Sequence, residues 1–338
     1  MADTLMLTNS RPARFGRPVG GAIELAGSSP AIARAQELVR RASAVAGGVI
    51  LVAERGVDVE SVAREVHARG RPAAAPFVAI ECETGDAARL DRALFGTPAG
   101  DVPRDLEQVS PDSGLAAARQ GTLFLQDVGE LPAAIQARLA RVARDGEVRV
   151  DGQAVSTDFR IVASASAAID ADVRGQQFRA DLYRRLSATR IDLPPLRERQ
   201  QDLPDIVGRI LEETCETERL SPRTCTQAAT ALLSALPWPG NLAELREVLE
   251  RALAETADEA LQIEHLLPAL RLDRATTRFV PSGNLRDARL RFERDYIASV
   301  LQYHGWRMAD AAQTLGIQRP NLYRKARQLG IPLKRLAE

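Results

Sequence analysis

Four short apolar runs set the strongest limit on what this chain can become. They lie in GGVILVAERG (47–56), PFVAIEC (76–82), GTLFLQDV (121–128) and FRIVASAS (159–166), each flanked by Gly, Pro or polar residues. Runs of this length and β-branched character read as strands buried on both faces. Helical stretches stand between them: 29–45, with Ser29 placed to cap it, VESVAREVHARG at 59–70, and AAIQARLARVARDG at 133–146. Strands alternating with helices predict an α/β fold, a parallel sheet with helices on both faces.

Leu193-Pro194-Pro195 breaks the alternation. The expected organisation is a Gly/Pro/Arg-rich flexible tail at 1–22, an α/β subdomain at 23–200, a smaller all-α subdomain at 201–270, a linker at 271–284 and a compact three-helix unit at 285–338. Within residues 1–22 no receiver or ligand-sensing domain is expected.

Charge separates the last unit from the rest. The formal net charge is zero, yet residues 285–338 hold 11 Lys+Arg against 5 Asp+Glu, leaving +6 there and −6 elsewhere. A basic module on an acidic body points to nucleic acid at the C-terminus. Hydrophobic residues at 45% and charged residues at 27% suit a globular protein. No apolar run approaches the roughly 20 residues that span a bilayer, and the N-terminus has no signal-peptide core, so a cytoplasmic protein without membrane partners is expected. Cys82, Cys215 and Cys225 form no CxxC pair, and His67, His265 and His304 are far apart, so no metal site is expected.

A strand, a Gly-containing turn and a helix form the setting of a phosphate-binding loop. A working loop reads GxxxxGK[ST]: the glycines let backbone N–H groups wrap the phosphates, and the lysine neutralises charge. Here the segment reads Ala53-Glu54-Arg55-Gly56-Val57-Asp58-Val59-Glu60, with Ala53 and Asp58 at the glycine positions and Val59 at the lysine position. The chain's only lysines are Lys325 and Lys334, so none can be borrowed nearby. Arg55 is a poor substitute in a tight loop, because its fork is rigid.

At this point residues 23–270 resemble the AAA+ domain of the sigma-54-dependent enhancer-binding regulators. The resemblance rests on AGSSPAI, AERGVDVE at the Walker A place, LDRALFG, QGTLFLQDVGELP at the Walker B strand, FRADLYRRLSATRIDLPPLRERQQDLP, and LPWPGNLAELREVLERAL at the sensor II region. By that resemblance, Gln126 and Asp127 stand where the family has its Mg²⁺-binding Asp and water-polarising Glu. Ser166 takes the sensor I place and Ala243 the sensor II arginine's. Arg179 and Arg185 match the arginine-finger segment; they either reach a neighbouring subunit or make structural ion pairs. Between 96 and 121 the family's GAFTGA loop is replaced by a polar segment with three prolines. Phosphoryl transfer depends on positioning and charge neutralisation. The expectation is therefore a protein that is not an enzyme: ATPase chemistry lost, no tight ATP or Mg²⁺ binding, and no sigma-54 remodelling of the usual kind.

The C-terminal unit reads as a helix-turn-helix. Residues 285–303 form an amphipathic helix with Leu290, Ile297, Val300 and Leu301 on its stripe, 307–315 a short helix, Gly316-Ile317 the turn, and Arg319 to Leu329 the second helix, with Pro320 in its first turn. It resembles the Fis-type domain of the same family, in which the long helix pairs with its twin. Double-stranded DNA is the expected partner. Gln318, Arg319 and Asn321 are expected at base edges, and Arg324 and Lys325 at bases or phosphates. Arg307, Arg327, Lys334 and Arg335 belong to phosphate or solvent, and Leu322 and Tyr323 to the core. The apolar stripe serves a homodimer or an internal core.

The leading expectation is thus a sequence-specific DNA-binding transcription regulator on a silent AAA+ scaffold, with a paralogue or RNA polymerase as further partner. Two alternatives stand beside it: an ATP-binding sigma-54-dependent activator with unusual motif residues, and an interaction scaffold that modulates an active paralogue.

Overall fold

The computed structural model describes residues 21–83, 86–96, 106–275 and 318–329, with single positions at 297, 301, 308, 309 and 312. It divides into two compact units, Met1–Arg271 and Leu272–Glu338.

The first unit opens with α1 (Pro30–Ala44), whose start is fixed by Ser29: its side chain accepts from the Ile32 N–H, and Pro30 fills the first turn. Then follow β1 (Val49–Val52), α2 (Val59–Gly70), β2 (Phe77–Glu81), α3 (Ala87–Phe95), β3 (Gln108–Val109), α4 (Gly114–Ala117), β4 (Thr122–Gln126), α5 (Ala133–Asp145), β5 (Glu147–Val150), β6 (Gln153–Ser156), β7 (Arg160–Ala165), α6 (Ile169–Arg174), α7 (Ala180–Leu186) and β8 (Thr189–Asp192). The main sheet runs β2-β4-β7-β1-β8, and all its pairs are parallel.

The strands alternate between two cores. Ile50, Val52, Leu123, Leu125, Ala163 and Ala165 pack on one side with residues of α3, α5 and α7. Val49, Leu51, Phe124, Val162 and Ile191 pack on the other with residues of α1 and α2. Helices on both faces explain why the runs are largely apolar at successive positions rather than strictly alternating.

Two features lie outside the sequence pattern. β8 is a fifth strand whose only buried residue is Ile191, as suits an edge where Arg190 and Asp192 pair with each other. A small sheet, β3-β5-β6, joins the segment after residue 105 to the antiparallel β5–β6 pair that follows α5. Of the polar segment expected between 96 and 121, residues 97–105 lie outside the described residues.

The second core of this unit is helical. α8 (Leu203–Glu218), α9 (Gln227–Ala235), α10 (Asn241–Glu255) and α11 (Ile263–Ala275), with the two-residue strands β9 (Thr224–Cys225) and β10 (Ala260–Leu261), surround Trp238. The Trp238 indole N–H donates to the Leu233 carbonyl at 2.8 Å, satisfying the one polar atom this buried ring brings inside. Ile23 and Ala26, from the segment before α1, join this core.

In the second unit the described helix is α12 (Arg319–Gln328). Leu322 and Ala326 are fully buried, and Ile297, Leu301, Met308 and Ala312 are buried as well. The stripe residues Ile297 and Leu301 are therefore covered within the chain itself. Most of the 285–303 helix, the turn at 316–317, and Arg307, Lys334 and Arg335 lie outside the described residues.

Candidate functional site

In open parallel sheets the functional crevice lies beyond the carboxyl ends of the strands, where the strand order reverses. Here that place is the end of β1, which has β7 on one side and β8 on the other. The Ala53 N–H donates to the Ala165 carbonyl at 3.1 Å, and the Leu193 N–H to the Val52 carbonyl at 2.8 Å, so the turn after β1 starts from a fixed frame.

Gly56 makes this turn. Its φ is +79°, and a Cβ would stand 2.0 Å from the Gly240 carbonyl oxygen, so only glycine fits. Asp58 then caps α2, its carboxylate accepting from the Ser61 N–H at 3.1 Å. The Asp58 N–H itself donates to Glu24 at 3.0 Å. Val57 and Val59 are buried in the core beneath α1 and α2, and Glu60 pairs with Arg64 along the helix. The helix N-terminus that would face a phosphate thus carries a carboxylate cap, and the side chain at the lysine position turns into the core.

The other crevice positions converge from neighbouring strands. Gln126 ends β4, and its carbonyl accepts from the Cys82 N–H at 2.9 Å. Asp127 follows in the left-handed region at φ 56°, its N–H donating to Ser164 Oγ at 2.9 Å. Burial first, and the Glu83 carboxylate second, push the Asp127 carboxyl above its ordinary value. Ser166, after β7, accepts from the Ala168 N–H at 3.3 Å and so helps start α6.

The helical subdomain closes on the same turn. The Ala243 N–H donates to the Gly56 carbonyl at 2.9 Å. Asn241, fully buried and at φ 50°, donates to the Arg55 carbonyl at 2.8 Å and accepts from the Leu196 N–H at 3.0 Å. Arg197 forks onto Glu54 at 2.6 and 2.5 Å and holds that carboxyl below its ordinary value. Behind the turn, buried Arg199 pairs with Glu24 and donates to its carbonyl, while Asp202 accepts from the Ser28 and Ser29 N–H groups. Burial pushes the Arg199 guanidinium down to about 10.

Arg179 and Arg185 sit apart from this crevice, on a cleft of about 530 Å³ lined also by Arg141, Arg144 and Arg184. Arg179 pairs with Asp181 at 2.7 Å. Arg185 donates to the Ala143 carbonyl at 2.8 Å and Arg184 to the Ala180 carbonyl at 3.3 Å.

On α12, Gln318 is the N-cap residue, but its side chain does not cap the helix. Gln318, Arg319, Arg324 and Arg327 are exposed, and Asn321 and Lys325 are partly so. Asn321 accepts from Arg324 at 3.2 Å. Tyr323 corrects the sequence reading: it is 41% exposed rather than core, with the Arg319 guanidinium 5.8 Å from its ring centroid. Leu322 is core, as the helical period requires.

Asn241, Arg197, Arg199 and Glu24 went unmarked in the sequence. A signal existed for Asn241, because it precedes an apolar helix in WPGNL and tolerates left-handed backbone. Glu24 carries none, since its partners lie 34 and 175 positions away.

A sheet crevice at the strand ends, a helical subdomain latched onto its first turn, and a separate basic helix define the class: an AAA+ module joined to a DNA-binding domain. Comparison with known proteins makes this particular. Residues 25–192 match the sigma-54 interaction domain, 197–280 the AAA+ ATPase lid domain, and 289–329 the bacterial regulatory protein, Fis family. The chain is 33% identical over 306 residues to the alginate biosynthesis transcriptional regulatory protein AlgB of Pseudomonas aeruginosa, covering 90% of this chain and 67% of AlgB. It is 31% identical over 328 residues to the nitrogen assimilation regulatory protein NtrX of Azorhizobium caulinodans, covering 91% and 69%. The crystal structure of NtrX from Brucella abortus with ADP superposes with a TM-score of 0.63 at 28% identity, over 93% of this chain and 70% of that one. The NtrX complex with ATP gives 0.63 at 29%, over 90% and 69%. The chain belongs to the sigma-54-dependent transcriptional regulators, with an AAA+ domain and a Fis-type helix-turn-helix.

This membership corrects the expectation of a protein that is not an enzyme. The matched domains are those of a P-loop AAA+ ATPase family, and the similar NtrX has been crystallised with both ADP and ATP. Replaced side chains at single motif positions do not measure turnover, and the frame around them (strand order, turn and lid) is intact. Among the described residues no helix is long and apolar enough to cross a membrane, and no cluster of three metal-ligating side chains occurs.

Proposed function

We propose that this regulator binds DNA sequence-specifically through the N-terminal half of α12, acting in the cytoplasm as a dimer on an inverted repeat. One observation carries the reading: Gln318, Arg319 and Arg324 are exposed on a helix that is anchored by the fully buried Leu322 and Ala326. Such a helix lays its outer face in the major groove. Arginine then reads guanine bidentately, and Asn or Gln reads adenine. Arg319 and Asn321 are assigned to bases, with Gln318 beside them, and Arg324 and Lys325 to bases or phosphates. A two-fold pair of such helices reads half-sites about one helical turn apart.

The AAA+ module is assigned a neighbouring AAA+ subunit as partner, either a second copy or a paralogue, and RNA polymerase beyond it. The arginine cleft supports this, since five arginines, Arg141, Arg144, Arg179, Arg184 and Arg185, gather there with Asp181.

The test is selection from a random DNA pool by the full-length protein, followed by footprinting. A recovered consensus with dyad symmetry is expected. Recovery without any consensus would remove the reading.

A further inference from the structure

We infer that Tyr323 is a specificity-determining residue that positions the Arg319 guanidinium for base reading; the inference rests on the assignment of α12 to DNA. Tyr323 is one of few large apolar side chains exposed among the described residues, and it lies on the helix assigned to the groove. It follows Arg319 by four positions, so the two share a face of α12. Helical side chains lean toward the N-terminus, which lays the Tyr323 ring over the turn of residue 319. The guanidinium carbon is 5.8 Å from the ring centroid, within cation–π range.

This placement matters because of where α12 begins. The first turn of a recognition helix reaches the base edges. There Pro320 leaves no N–H of its own, and Gln318 does not cap with its side chain. Nothing covalent fixes the long Arg319 side chain, which otherwise samples many rotamers. Among the described residues no carboxylate pairs with it. The aromatic face is the device that narrows those rotamers before DNA arrives. A guanidinium held in this way gains in the ratio of right to wrong base more than in attraction to phosphate, which falls to other cations of the helix.

The experiment uses full-length protein and a duplex selected by it from random DNA, against a scrambled duplex of equal composition. Tyr323→Ala is expected to weaken binding to the selected duplex about 2- to 5-fold, the range of an exposed cation–π contact. Scrambled DNA should be bound as before. Tyr323→Phe keeps the ring and should keep wild-type discrimination. In an Arg319→Ala background the Tyr323→Ala effect should vanish. Circular dichroism and the unfolding midpoint confirm that each variant is folded. Equal loss in Tyr323→Phe and Tyr323→Ala would assign the effect to the hydroxyl and overturn the inference. So would a loss shared by scrambled DNA, or one that persists without Arg319. If the wild type prefers no duplex, the assignment of α12 falls, and the inference with it; if the wild type discriminates and Tyr323→Ala matches it, the inference falls alone.

Discussion

The crevice at the end of β1 and the outer face of α12 use the same kinds of residue in opposite ways. In the crevice, polar groups bind other parts of the chain: Glu54 takes Arg197, Asp58 takes the Ser61 N–H, Glu24 takes Arg199 and the Asp58 N–H, and Asn241 bridges Arg55 and Leu196. On α12, no described carboxylate pairs with Arg319, Arg324 or Arg327, all of which are exposed. The first pattern ties two subdomains into one unit. The second keeps positive charge for a partner. Substitutions in the crevice should therefore move stability, and those on α12 should move affinity.

The largest effect should come from Arg199→Ala. It leaves Glu24 and Asp202 buried without their cation, a loss of about 3–5 kcal/mol for breaking a buried pair. Denaturant unfolding should show it. An unfolding midpoint within error of wild type would mean that the N-terminal segment does not tie turn and lid together. Asn241→Ala comes next, at roughly 2–4 kcal/mol, because two hydrogen bonds to buried or half-buried backbone are lost at once. Both variants, where folded, should bind DNA as wild type does.

Arg319→Ala should reverse the pattern. Stability should hold, while affinity for a selected duplex falls by about 1–3 kcal/mol and selectivity relaxes at one position. Arg324→Ala should weaken all duplexes more evenly if it meets phosphate, and lower the salt slope by about 1. Titrations at several salt concentrations separate the two.

The smallest effect concerns pH. Burial raises the folded-state pKa of Asp127 above the ordinary 3.8. The folded protein then holds this proton more tightly than the unfolded chain, so stability is lost as pH rises from 3.8 through the raised value. At neutral pH the ionised carboxylate is a cost. Asp127→Asn, which also suits the left-handed backbone, should raise the unfolding midpoint at pH 7 and flatten its dependence in the acid range. A lower midpoint at pH 7 would mean that the carboxylate's contacts outweigh its burial.

The comparison also shows what a sequence reveals. The four strands were legible because each carries a short, largely apolar run, and three of them are buried along nearly their whole length. β8 was not, since an edge strand with one buried residue has no such run. The helix period marked Leu322 as core, but Tyr323, one residue on, looks equally apolar and falls on the outer flank. Asp58 and Val59 could be read as departures from a phosphate loop. What they do instead, a cap and a core contact, needed the fold. Contacts such as Glu24 with Arg199 join residues far apart in the chain, and no local pattern announces them. The ATPase expectation rested on a handful of replaced motif side chains taken together, whereas membership in the enzyme family rests on the whole domain.

The most direct test of this division of labour is an equilibrium titration of full-length protein with its selected duplex and with a scrambled one, across a salt series. The account predicts at least about 10³-fold preference for the selected duplex at physiological salt, with affinity for both falling steeply as salt rises. Equal affinity for the two duplexes, or binding indifferent to salt, would contradict it.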